Sequence, residues 1–198
     1  FLPDIRESFS NFGETFNSGI LPDGIPILSI LGDQQAALFG QACVNVGDIK
    51  STYGTGAFLL LNTGEEIIRS TTGLLTTAAY AFRGHKVYAL EGSAYIAGAA
   101  VQWLRDNLKS IKSSPEVSEL AAQVTDLSQM EHVLFLPFFT GIGTPYWNSH
   151  AKAALIGLTR DTHNGHIARA CLEGIALSLN DSVSSFKKDF PKLNDIRV

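Results

Sequence analysis

The sequence predicts a mixed α/β domain. Short apolar or alternating runs separated by glycine turns fill the stretch from residue 49 to residue 90. Helical periodicity appears on both sides of that block. A long periodic segment follows near residues 167–186, and a last candidate strand begins at 192. Strands grouped between helices in this way form a sheet with helices packed against it.

The elements follow in order. Residues 1–24 read as loop, punctuated by Pro3, Gly13, Gly19, Pro22 and Gly24. Residues 25–31 are a continuous apolar run and read as a buried strand, with Pro26 tolerable at its end. Residues 34–46 read as a helix, for which Asp33 is a natural N-cap. Strands are expected over 49–53, 57–61, 74–82 and 86–90, with turns at Gly54-Thr55-Gly56, Asn62-Thr63-Gly64 and Arg83-Gly84-His85. Gly92-Ser93 opens a predicted helix to about residue 109, with Ile96, Ala97, Ala100, Val101, Leu104 and Leu108 on one face. Ser114-Pro115-Glu116 looks like a cap, a first-turn proline and an early acid, so a short helix to about 125 follows. A short strand over 133–136, a long loop over 140–153, a helix over 167–186 and a strand from 192 complete the reading.

Composition narrows the function. The chain of 198 residues is 45% hydrophobic and 17% charged, against about 25% charged in ordinary domains. This excludes a disordered chain. A net charge of -4 argues against a nucleic-acid binder, which relies on a basic patch. The uncharged stretch 134–151 is broken by Pro137 and Pro145 and is no membrane helix. No basic-then-apolar leader opens the chain, and Cys43 and Cys171 sit in apolar contexts, so buried cytosolic thiols are expected. The chain opens at Phe1, which raises the expectation of a fragment.

Three features carry chemistry. Asp33 follows the predicted strand, where α/β folds gather ligands, and can take a proton from a hydroxyl that attacks phosphorus; the bland alternative is helix capping. Tyr53-Gly54-Thr55-Gly56-Ala57-Phe58 joins two strands, and its glycines let backbone amides approach an anion; an ordinary turn is the bland alternative. It is no Walker loop, since no Gly-Lys-Ser/Thr follows. Gly98 and Gln102 lie four residues apart on one helix face, where a small residue beside an amide admits a nucleotide; close packing and a solvated amide are the alternative.

Together and in this order these segments resemble the glycerol kinases of the FGGY carbohydrate kinase family. Leu31-Gly32-Asp33-Gln34-Gln35-Ala36-Ala37-Leu38-Phe39-Gly40-Gln41 is similar to the catalytic-acid segment. Residues 50–58 and Leu61-Asn62-Thr63-Gly64 are similar to the phosphate hairpin. Ala89-Leu90-Glu91-Gly92-Ser93, Ala97-Gly98-Ala99-Ala100, Gln102-Trp103-Leu104-Arg105-Asp106, Pro145-Tyr146-Trp147 and Gly157-Leu158-Thr159-Arg160 continue the likeness from about residue 25 onward.

The resemblance implies a ribonuclease-H-like domain of the actin, hexokinase and Hsp70 ATPase superfamily, here incomplete. It implies a partial C-terminal domain over 1–198, without the N-terminal domain and the adenine-closing segment, and inactive on its own. It implies ATP-dependent phosphorylation of glycerol with Mg²⁺, in the cytoplasm, with no nucleic-acid partner, and it leaves a homo-oligomer of the full-length enzyme open. Asp33 would be the general base, Gln34 would bond a glycerol hydroxyl and Phe58 would wall the carbon backbone. Gly54 and Thr55 would meet the ATP phosphates, and Gly98, Val101 and Gln102 would line the nucleotide. Leu21-Pro22-Asp23-Gly24 lacks the arginine of the fructose 1,6-bisphosphate site of some relatives, so no inhibition through that loop is expected. Another sugar or polyol kinase of the family, or a non-catalytic nucleotide-binding module, is the alternative.

Overall fold

A computed structural model describes residues 3–130 and 132–198. Its elements are α1 (Asp33–Gly40), β1 (Ile49–Tyr53), β2 (Ala57–Gly64), β3 (Leu75–Phe82), β4 (His85–Ala94), α2 (Gly98–Asp106), α3 (Glu116–Ala122), β5 (Leu134–Leu136), β6 (Ala154–Ile156), α4 (Asn164–Asp189) and β7 (Ile196–Arg197). The mixed α/β expectation therefore holds. Five strands form one sheet in the order β3-β4-β2-β1-β7, antiparallel except where β7 joins β1 in parallel. β5 and β6 form a separate antiparallel pair.

Pleating divides the central strands between two cores. Ile49, Ala57, Leu59 and Leu61 point one way, where Leu179 and Phe186 of α4 cover them. Leu60, Ala79 and Ala89 point the other way, where Leu38 and Cys43 cover them. A third cluster joins Leu104 of α2, Val117 of α3 and Phe135 of β5 to Ala168 and Cys171 of α4. Both cysteines are buried and free, as the sequence led one to expect.

Several boundaries differ from the sequence reading, each for a physical reason. Residues 25–31 form no regular strand: Pro26 makes an isolated bridge to Glu14, and Ile25, Ile27 and Ile30 exchange backbone hydrogen bonds with Thr15, Phe12, Gly13 and Ser8 of the preceding loop instead of joining the sheet. Their side chains are left largely open, with Leu28 and Ile30 at 59% and 57% exposed. The loop character of 1–24 is borne out for the described residues 3–24, with residues 1 and 2 outside them. Phe9 in that loop packs its ring on Phe39, Tyr80 and Phe82.

The first helix stops at Gly40 instead of residue 46. Ala42 turns into the left-handed region at φ 55, and the Ala42 and Cys43 amides bond back to Phe39 and Leu38. That is the 5→2 and 6→1 pattern of a Schellman stop. Asn62-Thr63-Gly64 is no turn; it continues β2 through a bulge. The buried Asn62 amide explains this, since its Nδ2 donates to the Cys43 carbonyl and its Oδ1 accepts from Gly64 N–H.

Gly92-Ser93 opens no helix. β4 continues to Ala94 in register with β2, pairing Gly92 with Leu59 and Ala94 with Ala57, so the helix starts only at Gly98. Pro115 stands at the cap position of α3 with no side-chain cap; the Ser114 hydroxyl accepts from Arg105 instead. α4 starts three residues before the predicted point because His163 caps it, accepting from Gly165 N–H while its own N–H donates to His166 Nδ1. The turn at Arg83-Gly84 is as expected, both residues having the positive φ that a tight hairpin needs.

Candidate active site

Asp33, Gln34 and Phe58 lie on the α1 side of the sheet, and Gly98, Val101 and Gln102 lie on α2, next to the Gly54-Thr55 turn. Cross-strand register sets Lys50, Leu60 and Glu91 in one row and Thr52, Phe58 and Ser93 in the next. The start of α1 lies over this floor. Gly32 is the N-cap, and its carbonyl takes the first helical bond from Ala36 N–H. Asp33 is thus the first helical residue and not the N-cap, contrary to the sequence reading. Its exposed carboxylate accepts from the Gln34 backbone N–H at 2.8 Å and has a second oxygen 3.5 Å from Gln34 Nε2. A carboxylate in the first turn sits where the helix dipole favours negative charge.

The Gly54-Thr55-Gly56 turn docks on the start of α2. The Gly54 carbonyl accepts from Gly98 N–H at 2.9 Å, and the Thr55 carbonyl accepts from Ala97 N–H at 2.8 Å and Ala99 N–H at 3.1 Å. Gly98 has to be small: a Cβ there would meet the Gly54 oxygen at 2.5 Å. Close packing therefore accounts for this glycine. Gly54 N–H is engaged inside the turn with the Gly56 carbonyl at 2.8 Å, while the space above its Cα is open. Thr55 is exposed, and among the described residues neither its hydroxyl nor its N–H makes a hydrogen bond within the turn. Gln102, one helical turn beyond Gly98, is exposed, and Val101 packs half-buried against the third core cluster. All eight predicted residues thus lie on α1, the β1–β2 hairpin and α2, which contact one another in series.

One residue of the site was not singled out from the sequence. Lys50 is fully buried at 0% exposure, and its ammonium donates to Gln34 Oε1, to Thr52 Oγ1 at 2.9 Å and to the Phe58 carbonyl at 3.3 Å. Burial pulls it down to about 8, against the opposing charges of Glu91 and Asp33. Burial likewise pushes the Glu91 carboxyl up, with Lys50 opposing. The available signal was a charge in the middle of an otherwise uncharged strand, Ile49-Lys50-Ser51-Thr52-Tyr53.

No group of three or more His, Cys, Asp or Glu side chains converges among the described residues.

Residues 49–197 match the model of the FGGY family of carbohydrate kinases, C-terminal domain. The chain belongs to the FGGY family of carbohydrate kinases. Its similarity is high to the glycerol kinase of Myxococcus xanthus, 52% identical over 95% of this chain and 38% of the relative. The glycerol kinase of Staphylococcus epidermidis is 47% identical over 95% of this chain and 37% of the relative. The chain thus spans under two fifths of the length of these curated relatives. A crystal structure of Plasmodium falciparum glycerol kinase with ADP superposes with a TM-score of 0.84 at 42% identity, covering 98% of this chain and 38% of that one. A xylulose kinase from Rhodospirillum rubrum shares the fold, with a TM-score of 0.74 at 21% identity over 98% of this chain and 39% of that one. The fold of this FGGY chain is accordingly the actin and hexokinase type of ATPase fold, present in part.

Proposed function

We propose that the enzyme to which this chain contributes transfers the γ-phosphoryl group of ATP to glycerol, giving sn-glycerol 3-phosphate. The observation that carries the reading is Asp33: an exposed carboxylate, free of N-cap duty, at the head of α1 and above the polar floor that leads to the Gly54-Thr55 turn. Identities of 42–52% to glycerol kinases, against 21% to a xylulose kinase, favour glycerol over a pentulose.

In this reading Asp33 accepts the proton of the terminal hydroxyl as that oxygen attacks the γ-phosphorus and the bond to the ADP oxygen breaks. The Gln34 amide donates to a glycerol hydroxyl, and the Phe58 ring walls the carbon chain, as a small polyol needs few polar anchors and one apolar side. Thr55 leads the contact with the phosphates. Gly54 leaves room for them, and Gly98, Val101 and Gln102 line the nucleotide. Mg²⁺ accompanying the nucleotide would supply neutralisation of the phosphate charge.

We assign residues 1–198 to part of the C-terminal domain, because α1 packs on the same sheet as the family-matched segment. Among the described residues no helix is long and apolar enough to cross a membrane, and we assign the enzyme to the cytoplasm, with no nucleic-acid partner.

Asp33→Asn in the full-length enzyme tests the reading. The variant should lose about 10²–10⁴-fold in kcat, the range of general base catalysis. A rate within twofold of wild type, or faster turnover of a pentulose than of glycerol by the wild type, would overturn it.

A further inference from the structure

We infer that Lys50 is a positioning residue that fixes which end of the Gln34 amide faces the substrate, and that it binds the base-bearing helix to the phosphate hairpin. The inference rests on the glycerol kinase reading above and adds a residue to it.

The argument begins with donors and acceptors. An ammonium has three donors and no acceptor. Lys50 Nζ meets three oxygens: Gln34 Oε1 from α1, Thr52 Oγ1 from β1 and the Phe58 carbonyl from β2. Each of these must accept. The orientation of a glutamine amide is ordinarily ambiguous, since its oxygen and nitrogen look alike. Here it is not. Only the oxygen can face Lys50, so the NH₂ end is turned the other way, toward Asp33 Oδ2 at 3.5 Å. An ionised carboxylate accepts only, so the polarity agrees along the whole series. The NH₂ is presented beside the base, where it donates to a hydroxyl oxygen of the polyol.

A bland role as a core lysine fits less well. Burying an ammonium is costly unless every proton is bonded. Lys50 shares its row of the sheet with Leu60 and Glu91, and the opposing charges of Glu91 and Asp33 act on its ammonium, but its hydrogen bonds go to Gln34, Thr52 and Phe58. The three partners come from the three elements that carry Asp33 and Gln34, the approach to Gly54-Thr55, and Phe58. Placing one charge at their junction holds Gln34 and the Phe58 backbone, the polyol side of the site, in one geometry. Small misplacements there are expensive in rate.

A cycle in the full-length enzyme, combining Lys50→Met and Gln34→Ala, tests the inference by steady-state kinetics in glycerol and in ATP. Lys50→Met should raise KM for glycerol about tenfold, the effect of one oriented hydrogen bond, and leave KM for ATP within twofold. In the Gln34→Ala background the same change should have little further effect on KM for glycerol. Lys50→Arg, which keeps charge and donors, should recover part of the loss. If Lys50→Met does not fold, Thr52→Val replaces it in the cycle, since it removes one acceptor from the same ammonium; a rise in KM for glycerol of about threefold that vanishes with Gln34→Ala is expected. Additive effects in the cycle, or equal rises in both KM values, would overturn the positioning role while leaving the kinase reading intact. A wild-type enzyme inert toward glycerol would overturn the reading and the inference together.

Discussion

At Gly98 a missing methyl group decides the geometry of the nucleotide side. The Gly54 carbonyl lies where a Cβ would be, at 2.5 Å, and it is backbone that cannot swing aside. Gly98→Ala must therefore push the turn off the start of α2 and weaken the bonds from the Gly98, Ala97 and Ala99 amides. The expected outcome is a loss of about 1–3 kcal/mol of stability, the usual cost of overpacking, with a raised KM for ATP. Gly54→Ala is the control, because a Cβ there meets nothing within 4 Å. It should melt like wild type. Equal melting of the two variants would contradict the packing account. The same residues mark how much of the site was legible in advance. Asp33, Gln34 and the Gly-Thr-Gly turn stood out because polar or small residues interrupt apolar runs. That Gly54 N–H is engaged within the turn, and that Gly98 is small for the sake of a carbonyl 44 positions earlier in the chain, are tertiary facts without local pattern. Lys50 was hidden for a related reason: a lysine in a strand reads as solvated unless its burial is known.

Among the elements, α4 shows how a helix end is fixed. Its last residue, Asp189, puts a negative charge at the C-terminus, where the helix dipole disfavours it. Hydroxyls and an amide from the loop before β3 answer that charge: Thr71 Oγ1 and Thr72 Oγ1 each donate at 2.7 Å, Thr71 N–H donates at 3.2 Å, and Ser70 Oγ donates as well. Burial raises the carboxyl, but these bonds outweigh it and hold it at about 2. A folded-state value below the ordinary one contributes stability that is whole above about pH 4 and is lost as pH falls through about 2. Asp189→Asn should cost about 1 kcal/mol at pH 7, after screening at this partly exposed site. The gap to wild type should shrink to a small fraction of its pH 7 size by pH 2, as read by urea unfolding at the two pH values. A gap that persists at pH 2 would contradict the assignment. The elements legible in sequence were those with strong periodicity, α4 and the β1–β2 and β3–β4 hairpins. The misread ones had small residues or no place in the sheet. Gly92, Ser93 and Ala94 fit a helix start or a strand equally well, and pairing with β2 decides for the strand. The run 25–31 has the composition of a buried strand, yet burial needs a neighbour, and no pattern within a run supplies one.

For the whole molecule, surface area makes the same point quantitatively. A compact monomer of 21.3 kDa exposes about 9,100 Å² by the usual scaling of area with mass. This chain exposes 11918 Å², an excess of roughly 2,800 Å² over that scaling. Part of the excess is apolar and contiguous in sequence: Ile25, Ile27, Leu28 and Ile30 are 41%, 40%, 59% and 57% exposed. Exposed apolar patches of this kind mark surfaces that bind something. The 45% hydrophobic composition is thus larger than the three clusters absorb. Residues 1–198 produced alone should therefore self-associate at micromolar concentration, since burying apolar area gains about 25 cal/mol per Å². Leu28→Asn combined with Ile30→Asn should reduce the association without unfolding the sheet, because neither side chain belongs to any of the core clusters. Sedimentation velocity across a concentration series measures both. A single monomer boundary for the unmodified chain at every concentration, or association undiminished in the double variant, would show that this run is not the surface responsible.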